Sequence, residues 1–362
     1  MYHVKKYLEN LERKRAYIDR KLKKNSLLLD RNEKFIPLNS KLKKKLLKKL
    51  SKINPGLYPD IGSFYKKISK WIGLSKENIF LTDGVSGAIK NIIECYALPG
   101  KSNIVFPFPT FAMYPVYCNM FNLKQLKINY TKNYKLNFQL LLKSINKKTA
   151  IVFLPNHNIP IEGMLSEGQI IKLINKCKKL KVILAIDEVY YPFGNYTSLN
   201  LIKKFKNLLI MRSFSNAFGL AGIRLGYILG SKKNINYISK IRTGYESNSF
   251  SLEIASFFIN HEKEIFKYIK EVKYGFKYFK TKLDKLGIKH DGGNHGCFIY
   301  VNLSSKKFAS LMVNKLRTKN IFVRGSWPKP YEKGILISGT TFQNFKRFSN
   351  EFFKIYNFYK KK

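Results

Sequence analysis

The stretch Arg212-Ser213-Phe214-Ser215-Asn216-Ala217-Phe218-Gly219-Leu220-Ala221-Gly222-Ile223-Arg224-Leu225-Gly226-Tyr227 sets a hydroxyl, an amide and a guanidinium between two short apolar runs, Leu208-Leu209-Ile210-Met211 and Gly226-Tyr227-Ile228-Leu229. Both runs read as strands. Outward from them, similar runs recur at Asn78–Thr82, Asn103–Phe106, Lys124–Asn129, Ala150–Leu154 and Val182–Ile186, separated by helical stretches. From Gly84 to roughly Lys233, with one strand just before, this alternation predicts an α/β fold: a mostly parallel seven-stranded sheet between helices. Ligands of such sheets collect at the carboxyl ends of strands, where several of the residues singled out below stand.

After about residue 263 the pattern changes to a lysine-rich helix over Glu264–Leu286. Strands around Phe298–Val301 and Ile335–Ser338 and a terminal helix follow, which predicts a smaller α+β domain. The expected division is an N-terminal extension and arm over 1–50, a large domain over 51–262 and a small domain over 263–362. Within the extension, residues 1 to about 25 read as a polar, charge-rich helix.

The 362 residues carry a formal net charge of +46, with 45% hydrophobic and 15% aromatic residues, which excludes global disorder. So much positive charge would suit nucleic acid or an anionic membrane if it were clustered. Here the lysines are spread along the whole chain beside Asn, Ile, Phe and Tyr, which fits a compositional bias better than a binding patch. The densest run, Lys41–Leu50, places Leu42, Leu46, Leu47 and Leu50 at helical spacing and reads as an amphipathic helix. Neither nucleic acid nor a membrane is expected as a partner. Cys95, Cys118, Cys177 and Cys297 are far apart and form no CxxC pair, so no disulfide framework and no metal site is indicated. The N-terminus lacks an apolar signal core, and no apolar stretch is long enough to span a bilayer, so a cytoplasmic location is expected.

Several motifs carry chemistry. Gly84-Val85-Ser86-Gly87 follows a strand and opens a helix, where the free N–H groups of Val85 and Ser86 favour a phosphate. Asp187-Glu188-Val189-Tyr190 ends an apolar strand, a costly place for a carboxylate without a cationic partner. Pro109-Thr110-Phe111-Ala112-Met113-Tyr114, Pro155-Asn156-His157-Asn158-Ile159-Pro160-Ile161-Glu162-Gly163, Tyr58-Pro59-Asp60 and Asp30-Arg31-Asn32-Glu33 complete the set.

In this order, from about residue 27 onward, these motifs resemble the fold type I pyridoxal-phosphate aminotransferases, in particular the histidinol-phosphate aminotransferase branch. The resemblance implies that Phe111 stacks on the pyridine ring and Asp187 bonds its nitrogen. Tyr190 and an asparagine of the 155–163 loop would hold the ring hydroxyl; Asn158 is favoured and Asn156 second. Ser213, Arg224 and the Val85-Ser86 turn would hold the phosphate. Tyr58 would reach the cofactor of a partner subunit, which implies a homodimer. Asn32 and Arg324, the latter in Phe322-Val323-Arg324-Gly325, would face substrate.

Two positions depart from the pattern. The family reads Ser-x-x-Lys with an arginine eight residues on, and Asn216 stands in the lysine slot between Ser213 and Arg224. An amide forms no covalent bond with the cofactor aldehyde and relays no proton near neutral pH. In Gly334-Ile335-Leu336-Ile337-Ser338-Gly339-Thr340, Ile335 or Leu336 takes the slot of the arginine that clamps the substrate carboxylate. Three readings follow. The chain is catalytically impaired and binds pyridoxal phosphate non-covalently or no longer binds it; it carries out altered chemistry with His157 or Tyr190 as base; or it is a working transaminase on a small, phosphorylated amino or keto substrate in which Asn216 is a recent change or a sequence error. The two departures together favour the first.

Overall fold

The computed structural model describes residues 3–9, 11, 22–131, 133–194 and 196–360. Its strands are β1 (Leu27–Leu29), β2 (Ile79–Thr82), β3 (Asn103–Phe108), β4 (Lys124–Asn129), β5 (Thr149–Pro155), β6 (Ile183–Asp187), β7 (Leu208–Ser213), β8 (Gly226–Gly230), β9 (His290–Gly292), β10 (Phe298–Asn302), β11 (Ile321–Val323) and β12 (Gly334–Ser338). Seven of them form one sheet in the order β2-β8-β7-β6-β5-β3-β4. β8 runs antiparallel to both of its neighbours, and the other pairs are parallel.

Alternation along each strand divides the core between the two faces of this sheet. Ile151 and Phe153 of β5 join Ile104, Phe106, Ile183 and Ala185 against Ala88, Ile89, Ile92 and Ile93 of the helix Gly84–Tyr96. Val152 and Leu154 join Val105, Leu184 and Ile186 against Ile170, Leu173 and Ile174 of the helix Glu167–Lys179. That helix starts at a reciprocal cap, in which Ser166 accepts from the Gln169 N–H and the Gln169 side chain accepts from the Ser166 N–H. Each such side chain removed from water contributes about 1.5–3 kcal/mol.

The C-terminal part builds a second, antiparallel sheet, β12-β10-β9, covered by the helices Glu262–Lys285 and Phe342–Lys360. Phe276 and Phe279 of the first helix pack against Phe345 of the second, and Phe279 also meets Phe348 and Phe352.

The N-terminal region differs from expectation. The charge-rich helix expected over 1–25 appears as the single turn Lys6–Glu9, residues 22–25 are not helical, and most of the remainder lies outside the described residues. Leu27–Leu29 pairs in parallel with β11, register Leu27↔Ile321, so the arm is a strand of a separate two-stranded sheet. Three leucines give no readable period, and their partner is almost the whole chain away. The lysine-rich helix Ser40–Leu50 buries Leu42 and Leu46 as expected and packs Leu50 against the core, but Leu47 stands 54% exposed, because the i, i+4, i+8 row faces the core and Leu47 lies off it.

Candidate functional site

The carboxyl ends of the parallel strands, the start of the helix Gly84–Tyr96 and the arm 30–33 enclose one cavity of about 580 Å3. β6 ends on Asp187, which is 2% exposed. Its carboxylate accepts from the Tyr114 hydroxyl at 2.7 Å and from the Val189 N–H at 2.9 Å. Desolvation pushes its pKa up to about 6, with the Glu188 charge adding to the rise. Phe111 lines the same space, with its ring edge-on to Tyr114.

Tyr190 accepts a hydrogen bond at its hydroxyl oxygen from the Asn32 side chain at 3.1 Å. Asn32 is held by its N–H to the Ser338 hydroxyl and by its side-chain oxygen, which accepts from that hydroxyl at 2.8 Å. Its φ of 58° is left-handed, a conformation that asparagine tolerates better than most residues. Burial holds the Tyr190 and Tyr114 phenols well above their ordinary values, so both are neutral.

The structure separates the two asparagines of the 155–163 loop. Asn158 lines the cavity, accepts from the Thr110 hydroxyl at 2.7 Å, donates to the Pro109 carbonyl and also hydrogen-bonds the buried Tyr130 hydroxyl. Asn156 is not on the cavity wall; its side-chain oxygen accepts from the Leu165 N–H and closes the loop from below. His157 does line the wall, with its ring 4.7 Å from His295 and nearly parallel to it. Its Nδ1 is buried without a partner, and desolvation drops its pKa to about 3.

At the opposite end, Val85, Ser86, Ser213, Ser215, Asn216 and Arg224 share the wall. The Ser213 hydroxyl accepts from the Ser215 N–H at 3.0 Å and lies 2.9 Å from the Ser215 hydroxyl. Arg224 sits at φ 49°, ψ 48°, a left-handed backbone that L-residues adopt at a cost of about 1 kcal/mol. Its guanidinium lies 3.3 Å from the Asp83 carboxylate and reaches the Asp83 carbonyl, beside the free N–H groups of the helix start. Two glycines make this closeness feasible: a Cβ on Gly226 would stand 2.8 Å from the Arg212 carbonyl and from the backbone of Gly84.

At the substrate end Leu336, not Ile335, faces the cavity, and Arg324 is its backbone partner: the Arg324 N–H donates to the Leu336 carbonyl and the Leu336 N–H to the Arg324 carbonyl. The Arg324 guanidinium stacks 4.3 Å over Trp327 and also lines the cavity. Burial lowers its pKa, opposed by the nearby Tyr190 and Asp30. Tyr58, expected to reach the cofactor of a partner subunit, is not on this wall; it stands 80% exposed, stacked on Tyr245, in a separate groove lined by residues of 45–70 and 249–261.

Other important residues gave no separate sequence signal. Tyr114, Thr110, Ser215 and Ser338 orient the residues above, and only the Pro109–Tyr114 motif hinted at the first two. Arg212 and Glu188 form a buried ion pair at 2.8 Å, with the Arg212 guanidinium 3.8 Å from the Tyr191 ring, and so fix β6 to β7 just behind the site. Glu162 accepts from the N–H groups of Asn294, His295 and Gly296, while its own N–H donates to Asp291, so the longer loop clamps the C-terminal sheet to the cavity.

A mostly parallel seven-stranded sheet with a small antiparallel one beside it, and this ring of groups at its strand ends, defines a class I and II aminotransferase of fold type I. The model of that family matches residues 20–329, and the chain belongs to it. The family depends on pyridoxal phosphate. Within it the chain resembles the histidinol-phosphate aminotransferases. It is 30% identical to that of Clostridium novyi over 275 residues, 75% of this chain and 76% of the relative. Against histidinol-phosphate aminotransferase 2 of Pasteurella multocida it is 29% identical over 331 residues, 89% and 86% of the two chains. Among solved structures, the Clostridium acetobutylicum enzyme superposes with a TM-score of 0.81 at 20% identity, covering 91% of this chain and 99% of that one. The Sinorhizobium meliloti enzyme, in complex with pyridoxal-5'-phosphate, gives 0.80 at 17% identity over 92% and 91%. At these identities the structural likeness speaks for the fold. Among the described residues no helix is long and apolar enough to cross a membrane.

Proposed function

We propose that this chain binds pyridoxal phosphate or its amine form without a covalent link, and that it is a catalytically impaired member of its family. The observation that carries the cofactor reading is the desolvated Asp187 carboxylate on the wall of the same cavity as Phe111, Ser213 and Arg224. A buried carboxylate whose hydrogen-bond partners are a neutral hydroxyl and one N–H favours a cation in front of it, and a protonated ring nitrogen is that cation. Phe111 would cover the ring face, Tyr190 would donate to the ring oxygen, joined by Asn158 once its amide turns from Tyr130 to the ligand, and Ser213, Arg224 and the Val85-Ser86 N–H groups would hold the phosphate. When bound, the cofactor supplies an electron sink for bonds to the substrate α-carbon.

The impairment rests on Asn216, read as standing in the lysine slot, and on Leu336 at the substrate end. Asn216 supplies neither a nucleophilic amine nor a proton relay, and Leu336 orients no carboxylate. His157 is a poor substitute base: its pKa near 3 keeps it neutral but leaves little proton affinity near pH 7. Calorimetry with pyridoxal phosphate tests the binding: saturable heat is expected, with Asp187→Ala losing more affinity than Asn216→Ala. Asn216→Lys is expected to create the absorbance band of a lysine-bound cofactor with little turnover on glutamate. Wild-type protein that transaminates glutamate at an ordinary enzyme rate would overturn the impairment. A homodimer is part of this reading, because Tyr58 is exposed and aromatic and has no place in its own cavity; sedimentation that finds only monomer at micromolar concentration contradicts it.

A further inference from the structure

A second cavity of about 640 Å3 adjoins the first and shares Asp30, Arg31 and Arg324 with it. Its far wall is one face of the helix Lys306–Thr318, where Ser310, Val313, Asn314 and Arg317 recur at i, i+3, i+4 and i+7. The β1–β11 pairing sets Leu29 against Val323 and so brings Arg31 and Arg324 to the threshold between the two spaces. Three arginines, Arg31, Arg317 and Arg324, line it with one aspartate, Asp30, an excess of two formal positive charges. Arg31, Ser310, Asn314, Arg317, Arg324 and Ser326 are all exposed, so this cavity opens to solvent.

We propose that this second cavity seats a diphosphate, and that the substrate is an amine or keto compound joined through a diphosphate diester to a group projecting into solvent. The inference rests on the reading of the first cavity as the cofactor site and adds to it a ligand reaching past Arg324. Two negative charges of a diphosphate diester match the excess of two positive ones. Guanidiniums suit phosphoryl oxygens because their planar N–H groups bind two oxygens at once. A single phosphate beside Arg324 would make no use of Arg317, which lines only the outer space. Ser310, Asn314 and Ser326 add neutral donors there.

The test is calorimetric titration of pyridoxal-phosphate-saturated protein with inorganic pyrophosphate and, separately, inorganic phosphate. Pyrophosphate is expected to bind at least about tenfold more tightly, and Arg317→Gln to weaken it about tenfold, about 1.4 kcal/mol, with pyridoxal phosphate affinity unchanged. The paired control is Lys49→Gln with Lys52→Gln in the distant lysine groove. Equal affinity for the two anions, no effect of Arg317→Gln, or an equal loss in the lysine control, which would mark non-specific attraction to a chain of +46, overturns the proposal. If pyridoxal phosphate itself does not bind, the cofactor reading fails, and pyrophosphate titration of the free protein still decides the second site: sensitivity to Arg317→Gln supports it and sensitivity to Arg224→Gln alone refutes it.

Discussion

Replacing Asp187 by asparagine separates what this residue does for the cofactor from what it costs the fold. Its pKa rises from 3.8 to about 6 in the folded chain, a difference of about two units, so the ionised carboxylate destabilises the cofactor-free protein by on the order of 3 kcal/mol at neutral pH. Asparagine keeps the shape: its oxygen accepts from the Val189 N–H and its amide donates to the Tyr114 hydroxyl oxygen, whose hydrogen rotates away. The sign follows from proton uptake. Because the folded pKa lies above the unfolded one, the native state holds the extra proton between about pH 4 and 6, and stability falls with rising pH across that window. In urea denaturation of cofactor-free protein, Asp187→Asn should match wild type near pH 4 and exceed it by on the order of 3 kcal/mol by pH 7, while Glu162 and Asp291, whose pKa values are also raised by burial, cancel in the difference. Pyridoxal phosphate should narrow or close this gap, since the variant loses a charge-assisted bond of about 1.5–3 kcal/mol to the ring nitrogen. A difference that stays flat with pH, or a variant that binds the cofactor as tightly as wild type, refutes this account of Asp187.

Glu188→Ala should destabilise by about 3–5 kcal/mol in the same denaturation assay, because it strands the Arg212 guanidinium among buried groups; a loss below 1 kcal/mol would show the pair to be dispensable. Gly226→Ala forces a Cβ into the Arg212 carbonyl and the Gly84 backbone, both too rigid to give way. It should lower stability by more than about 1 kcal/mol, and should weaken pyridoxal phosphate more than pyridoxal, read by competition calorimetry, since the displaced backbone carries the phosphate contacts.

The sheet was legible because its inner strands are apolar on both faces and bounded by turns, while the polar edge strand Lys124–Asn129 showed itself by Leu126 and Ile128 alternating with polar residues. The site was legible where motifs lie at strand ends, as at Asp187, Ser213 and Asn158. What was not legible depends on long-range register. Leu27–Leu29 carries no period, and its strand partner is at the other end of the chain. The choice between Ile335 and Leu336 turned on which side of β12 faces the cavity, a phase that an all-apolar run does not reveal. Tyr114 looked like part of a stacking motif, and only its bond to Asp187 shows that it steadies the carboxylate. The +46 charge said nothing local until three arginines and one aspartate came together in the lining of one cavity.

The cavity wall is drawn from both ends of the chain: Asn32 and Ser338 hold each other across 306 positions, and β1 finds its partner only in β11. A ribosome therefore releases the arm well before its counterpart. Until Ile321–Val323 has emerged, the three leucines of the arm have no strand to join, and Tyr190 lacks the arm asparagine that Ser338 steadies. Contacts of such separation close slowly, because the loop entropy must be met before they form. A nascent chain that stops short of residue 321 can complete much of the seven-stranded sheet yet has an open socket, so the cavity wall closes only after residues 321–338 have been made.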